Sequence, residues 1–122
     1  MANKYSNQKV QYDGKVFDSK REGRRYMQLK ILERAGEIED LQCQVPFELI
    51  PAQYEPDTIG KRGGIIKGKC IERAVVYYAD FVYKDKRTGK TIVEDAKGMR
   101  TDVYRIKKKL MLKHHGIRIT EV

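Results

Sequence analysis

The sequence predicts an α/β domain in which a mixed, mainly antiparallel sheet is flanked by two helices. Three observations carry that expectation. Two segments, from Ser19 to Gly36 and from Thr101 to Gly116, repeat apolar residues at helical spacing, with a capping residue before and a glycine after. Between and around them lie runs rich in β-branched and aromatic residues, bounded by turn residues, which read as strands. The chain has 122 residues, 40% of them hydrophobic, which suits one domain spanning 1–122 with a modest core.

In chain order, residues 1–8 are polar and expected to fray. Lys9-Val10-Gln11-Tyr12 and Lys15-Val16-Phe17 alternate around Asp13-Gly14, a strong hairpin signal because both turn residues need positive φ. Ser19 with Glu22 three residues on forms a capping box, so a helix starts here. Its apolar face is Tyr26, Leu29 and Leu32, broadened by Met27 and Ile31, and Ala35-Gly36 ends it. Ile38 to Gln44 and Phe47 to Ile50 read as two strands, with Pro46 and Pro51 bracketing the second. Residues 51–64 hold Pro56, Asp57, Gly60, Gly63 and Gly64 and read as a long, functional or mobile loop leading into the basic Lys67 and Lys69. Ala74 to Tyr83 is the most strand-like stretch. Lys84 to Lys90 turns the chain, Thr91-Ile92-Val93 starts the return, and Gly98 ends it. Thr101 or Asp102 caps the second helix, with Val103, Ile106, Leu110 and Met111 on its apolar side. Ile117 and Ile119 then mark a short terminal strand.

Charge narrows the function. With 26 Lys and Arg against 17 Asp and Glu the chain carries +9, a surplus that favours polyanions, above all nucleic acid. No run approaches a membrane span, and Met1-Ala2-Asn3-Lys4-Tyr5 is followed by no apolar run of a secretory signal, so an intracellular protein is expected. Cys43 and Cys70 form no CxxC pair and, with only His114 and His115, offer too few ligands for zinc. Both cysteines read as reduced core residues and both histidines as structural. Gly60-Lys61-Arg62-Gly63-Gly64 lacks the order of a nucleotide P-loop and reads as a flexible basic loop.

The chemistry concentrates in the central hairpin. If Asp85 closes the turn opposite Lys90, the register sets Asp80 directly opposite Asp95, and Lys97 shares a face with Asp95 while Glu94 points the other way. Like charges directly opposite are destabilising, so a compensating cation is expected. Mg²⁺ held by one or two carboxylates suits such a pair, and Lys97 could orient a water or neutralise phosphate charge. Ordinary salt bridges at strand ends are the other reading of the same three residues.

Tyr78-Ala79-Asp80 followed by Asp95-Ala96-Lys97 resembles the PD-(D/E)xK nuclease signature, with Ala79 where the name has proline. The stretches Phe17-Asp18-Ser19-Lys20-Arg21-Glu22, Leu32-Glu33-Arg34-Ala35-Gly36-Glu37-Ile38 and Val93-Glu94-Asp95-Ala96-Lys97-Gly98-Met99 widen the likeness. They resemble a largely uncharacterised family of small phage-encoded proteins, usually placed among Holliday-junction-resolvase-like PD-(D/E)xK nucleases, from about Tyr5 to Val122. The resemblance implies a restriction-endonuclease-like core and an endodeoxyribonuclease dependent on Mg²⁺ (or Mn²⁺). It would cut branched or Holliday-junction DNA in phage recombination, in the cytoplasm of the host cell. Asp80 and Asp95 would hold the metal and Lys97 would assist the attacking water, leaving a 5′-phosphate. Glu22 matches a third acid, although it also serves as the capping-box residue of Ser19. A homodimer is implied by analogy with resolvases. Another DNA substrate (nicking, flap or restriction-like), or a non-catalytic nucleic-acid-binding protein of the same fold, remains open. The DNA-facing candidates are Arg21 and Arg24 on the first helix, Lys61 and Arg62 in the loop, and Arg100, Lys107 and Lys108 around the second helix, where Ile106 and Leu110 are expected to face the sheet.

Overall fold

A computed structural model describes residues 8–122, so the start of the expected frayed segment lies outside the described residues. Asp13 (φ 51°) and Gly14 (φ 75°) adopt the left-handed conformation that the Asp-Gly pair was expected to supply, joining β1 (Val10–Tyr12) to β2 (Lys15–Phe17). Helix α1 (Lys20–Arg34) begins where Ser19 accepts the Glu22 backbone N–H at 3.1 Å. The strands of the main sheet follow: β3 (Ile38–Ile50), β8 (Val75–Asp85), β9 (Thr91–Asp95) and β10 (Thr120–Glu121), in the order β10-β9-β8-β3. β3, β8 and β9 form an antiparallel meander, and β10 lies parallel to β9 after the crossover through α2 (Asp102–His115). Thr101 caps α2 by accepting the Tyr104 N–H at 3.1 Å, and Gly116 closes it at φ 65°.

Two expectations fail between β3 and β8. Pro46 does not divide two strands: Ile38–Ile50 is one strand with Pro46 inside it. Among the described residues β3 pairs only with β8 and so forms the sheet edge, where a strand tolerates proline. The expected loop is instead a two-part ribbon, β4 (Gln53–Tyr54) paired with β7 (Cys70–Glu72) and, beyond it, β5 (Thr58–Ile59) paired with β6 (Ile65–Ile66). Its short strands are exposed along their whole length, and Cys70 lies exposed there rather than in the core.

Burial falls into two clusters. Phe17, Tyr26, Leu29, Ile38, Phe81 and Tyr83 pack under α1 and the β1–β2 hairpin, while Leu49, Tyr77, Ala79, Val93, Tyr104, Met111 and Ile119 pack with α2. Met27 and Ile31, expected to widen the α1 face, are exposed. In α2 the buried residues are Tyr104 and Met111, and Val103 and Ile106 face solvent. The helix is rotated from the expected face because a buried Tyr104 keeps its hydroxyl bonded to Glu121 at 3.0 Å, and half-buried Lys107 and Lys108 fill the next turn. Tyr77 and Ala79 belong to one cluster, yet Phe81 and Tyr83, of the same strand parity, belong to the other. β3 behaves alike, with Leu41 and Cys43 in the α1 cluster and Phe47 and Leu49 in the α2 cluster. Both strands therefore exchange faces where Gln44, at φ 53°, lies between the pairs Cys43–Phe81 and Val45–Ala79, beside Asp80.

Candidate functional site

The β8–β9 register is the expected one: Asp85 N–H donates to Lys90 at 2.9 Å, and the pairs run Lys84–Thr91, Tyr83–Ile92, Val82–Val93 and Phe81–Glu94. The pairs end there, and Asp80 and Asp95 are the next residues on the two strands. Asp80 Oδ2 accepts the Ala96 backbone N–H at 2.8 Å, which fixes the carboxylate at the end of the strand pair. Burial and then the neighbouring Asp95 charge raise the Asp80 carboxyl from 3.8 to about 6.

Asp95 is 1% exposed and packs on the α2 side. Its Oδ2 accepts the Tyr77 hydroxyl at 2.5 Å. Its Oδ1 is buried with no hydrogen-bond partner among the described residues, and the Lys97 ammonium stands 3.7 Å from it. Lys97 Nζ also lies 5.3 Å from the centre of the Tyr104 ring, whose face favours a cation. Burial and the Asp95 hydrogen bond drive the Tyr77 hydroxyl far above its ordinary value, so it remains a donor.

Glu22 reaches the same cleft from the first turn of α1. The next residue, Gly23, is buried under Val10 and Tyr12 of the hairpin, where a Cβ would collide with both side chains. The close approach sets where Glu22 points. Its Oε1 accepts from Gln44 Nε2 at 2.8 Å, and the same amide nitrogen lies 3.2 Å from Asp80 Oδ1. Burial, then Asp80 and Asp18, raise the Glu22 carboxyl from 4.5 to about 7. Capping and site role are compatible here, because Ser19 uses the Glu22 backbone N–H while the carboxylate faces Gln44.

The structure thus joins Glu22 to Asp80 through Gln44, and Asp80 to Asp95 across the strands, with Lys97 beside Asp95. Among the described residues, no group of three or more His, Cys, Asp or Glu side chains forms a metal-holding cluster. Glu94 points away as expected: Arg25 holds it by two hydrogen bonds, Nε to Oε1 at 2.8 Å and Nη2 to Oε2 at 2.6 Å, and the Tyr83 hydroxyl also donates to it. Residue types alone did not reveal Gln44. A glutamine in a strand carries no chemical signature, and only its positive φ marks it.

The cationic candidates separate. Arg21 Nη1 donates to the Val122 carbonyl at 3.2 Å and Arg24 Nε to the Lys20 carbonyl at 3.4 Å. Arg100 and Lys108 both pair with Glu121, at 2.7 and 2.9 Å, and Lys107 donates to the Val76 carbonyl at 2.9 Å. The outward α2 lysine face is therefore smaller than expected, because Lys107 and Lys108 bind the chain itself. Lys61 and Arg62 stand exposed at the ribbon tip. His115 is exposed, with its ring against Phe47 and its Nε2 2.7 Å from the Glu48 carbonyl.

Fold and site together define a two-helix α/β protein whose central hairpin ends in an acid-and-lysine cleft. The chain belongs to the family described as "Protein of unknown function (DUF1064)", whose model matches residues 2–122. Neither the curated proteins nor the solved structures gave a significant match. Among the described residues, no helix is long and apolar enough to cross a membrane.

Proposed function

We propose that this protein is a metal-dependent DNA endonuclease with a restriction-endonuclease-like core, acting on branched DNA such as a Holliday junction. The observation that carries the reading is the placement of Asp80 and Asp95 together where the β8–β9 pairing ends, with Lys97 3.7 Å from a buried Asp95 oxygen that has no hydrogen-bond partner among the described residues. The sheet supports it: a helix, an antiparallel meander and a second helix after the strand that leads to Lys97 suit the core that the PD-(D/E)xK resemblance implies. The +9 charge suits a polyanionic substrate.

The donor set fits a hard divalent cation. Among the described residues Asp95 Oδ1 has no hydrogen-bond partner, Asp80 is near enough for the Asp95 charge to raise its carboxyl, and one or two carboxylates with waters are what Mg²⁺ commonly takes from a protein. Asp80 and Asp95 would hold Mg²⁺ or Mn²⁺, with Glu22 at the edge through the Gln44 amide. When bound, the ion would lower the pKa of a coordinated water and offset charge on the scissile phosphate. The chain's own groups do the rest. Tyr77 fixes Asp95 by donating to Oδ2, and the Ala96 N–H fixes Asp80. Lys97 supplies a positive charge beside the phosphate and orients the attacking water, leaving a 5′-phosphate. Use in phage recombination, a cytoplasmic setting in the host and a homodimeric form that cuts two strands complete the proposal.

A cleavage assay with four-way junction, flap, duplex and single-stranded DNA in Mg²⁺ or Mn²⁺ tests it. Asp80→Asn and Asp95→Asn should each reduce cleavage by about 10² or more while DNA binding persists. If the wild-type protein binds these DNAs and cuts none, the non-catalytic binding reading replaces it.

A further inference from the structure

The ribbon between β3 and β8 is an insertion in a simple hairpin. Ile50 pairs with Val75, so the two strands would meet without residues 51–74. The ribbon adds nothing to either buried cluster. A two-stranded ribbon alone is marginally stable in water, so its exposed side chains call for another explanation than folding.

Its far half has a specific layout. Ile59 and Ile65 are directly paired across β5 and β6, so their side chains share one face, and they are 79% and 73% exposed. Between them Gly60, Lys61, Arg62, Gly63 and Gly64 make the tip, with Gly63 at φ 83° and the Gly60 N–H donating to the Gly64 carbonyl at 2.7 Å. From Thr58 to Ile71 the sequence contains Lys61, Arg62, Lys67 and Lys69 and no acidic residue. Glu72 lies in β7 at the ribbon base, whereas Glu55 and Asp57 lie between the two strand pairs, where Asp57 accepts the Gly68 N–H at 2.8 Å and stands 3.8 Å from the Lys67 ammonium. Gly68 is held there because a Cβ would collide with the Glu55 carbonyl.

We propose that the ribbon tip is a wedge for branched DNA, with Lys61 and Arg62 on phosphates and the Ile59–Ile65 pair against bases exposed at the branch point. Charge complementarity selects the partner: an acid-free basic tip suits a polyanion. The apolar pair behind it selects where on the polyanion. Apolar side chains that enter DNA insert where bases unstack, and a branch point already bears much of the unstacking cost. The proposal rests on the DNA-binding reading above and adds to it the element that distinguishes junction from duplex.

Two double variants separate the parts, with binding measured on four-way junction and duplex without divalent metal across a salt series. Ile59→Ser with Ile65→Ser should cut the junction-to-duplex affinity ratio about tenfold while the salt slope stays unchanged. Lys61→Ala with Arg62→Ala should lower the log–log salt slope by up to about 2 and weaken both DNAs alike. 2-Aminopurine at the branch point should brighten with wild type and not with the isoleucine variant. Thermal midpoints should be unchanged in both, since neither site touches the core. An unchanged junction-to-duplex ratio in the isoleucine variant overturns the wedge and leaves the nuclease reading standing. A wild-type dimer that becomes monomeric in that variant, with DNA preference intact, also overturns it and assigns the isoleucines to a second copy of the chain. Failure of the wild-type protein to bind any DNA overturns both readings.

Discussion

Gln44 occupies, at φ 53°, a backbone region that costs a residue with a Cβ about 1–2 kcal/mol. What it obtains there is an amide aimed between Glu22 and Asp80. Gln44→Ala and Gln44→Gly both remove that amide, but only glycine relieves the backbone. The glycine variant should therefore be the more stable by about 1 kcal/mol in urea unfolding. Equal stability would mean that the conformation carries no strain. Both should weaken Mg²⁺ binding measured by calorimetry, because the two acids lose the donor that holds them. Lys97 calls for a different experiment. An ammonium is no metal ligand, so Lys97→Ala should lose turnover and keep metal affinity. If metal affinity goes as well, Lys97 acts chiefly by positioning Asp95.

Among the elements, α1 is tied to β9 by Arg25, whose fork holds Glu94 while the Tyr83 hydroxyl shares the same carboxylate. Glu94 is 1% exposed, so Arg25→Ala leaves a buried charge without its cation and should cost about 3–5 kcal/mol in denaturant unfolding. A loss below 1 kcal/mol would mean that water reaches Glu94 once the arginine is gone. Elements of this kind divide by how far their cause reaches along the chain. The Asp13-Gly14 turn, the Ser19 and Thr101 caps and the Gly116 stop are set by neighbouring residues, and all were legible in sequence. The turn closing β8 and β9 was legible too, and with it the apposition of Asp80 and Asp95, because a tight hairpin transmits its register. Pro46 misled because its effect depends on whether the strand lies at an edge, a fact about the whole sheet. The α2 face misled because Tyr104 and the stems of Lys107 and Lys108 bury as amphipathic groups, while Val103 and Ile106 remain outside. The exchange of faces at Gln44 left no trace in composition or period.

For the molecule as a whole, the acid cleft opposes folding when no cation is present, and the sign of that effect separates a functional site from a structural ion pair. Glu22 is raised from 4.5 to about 7 and Asp80 from 3.8 to about 6. An acid whose folded pKa is raised holds its proton more tightly in the folded chain than in the unfolded one. Between the two values the folded state binds more protons, so stability falls as pH rises. Glu121 acts in the opposite sense: Lys108 first, then Arg100, bring it from 4.5 down to about 2, so its contribution is present above pH 4.5 and lost as pH falls towards 2. Metal-free protein should therefore be most stable near pH 4–5 and lose stability towards pH 8. Asp80→Asn removes the group that adjoins both other acids and keeps an oxygen for the Ala96 N–H, so it should raise metal-free stability at pH 8 and flatten the pH profile. Mg²⁺ at a hundredfold excess over its Kd should add about 2.7 kcal/mol to the wild type and nothing to the variant. Urea unfolding of both proteins at pH 5 and 8, with EDTA or Mg²⁺, measures each of these quantities. If Asp80 instead serves an ordinary salt bridge, Asp80→Asn will lower stability at pH 8 and Mg²⁺ will leave the wild type unchanged. That pair of results would remove the acids from catalysis.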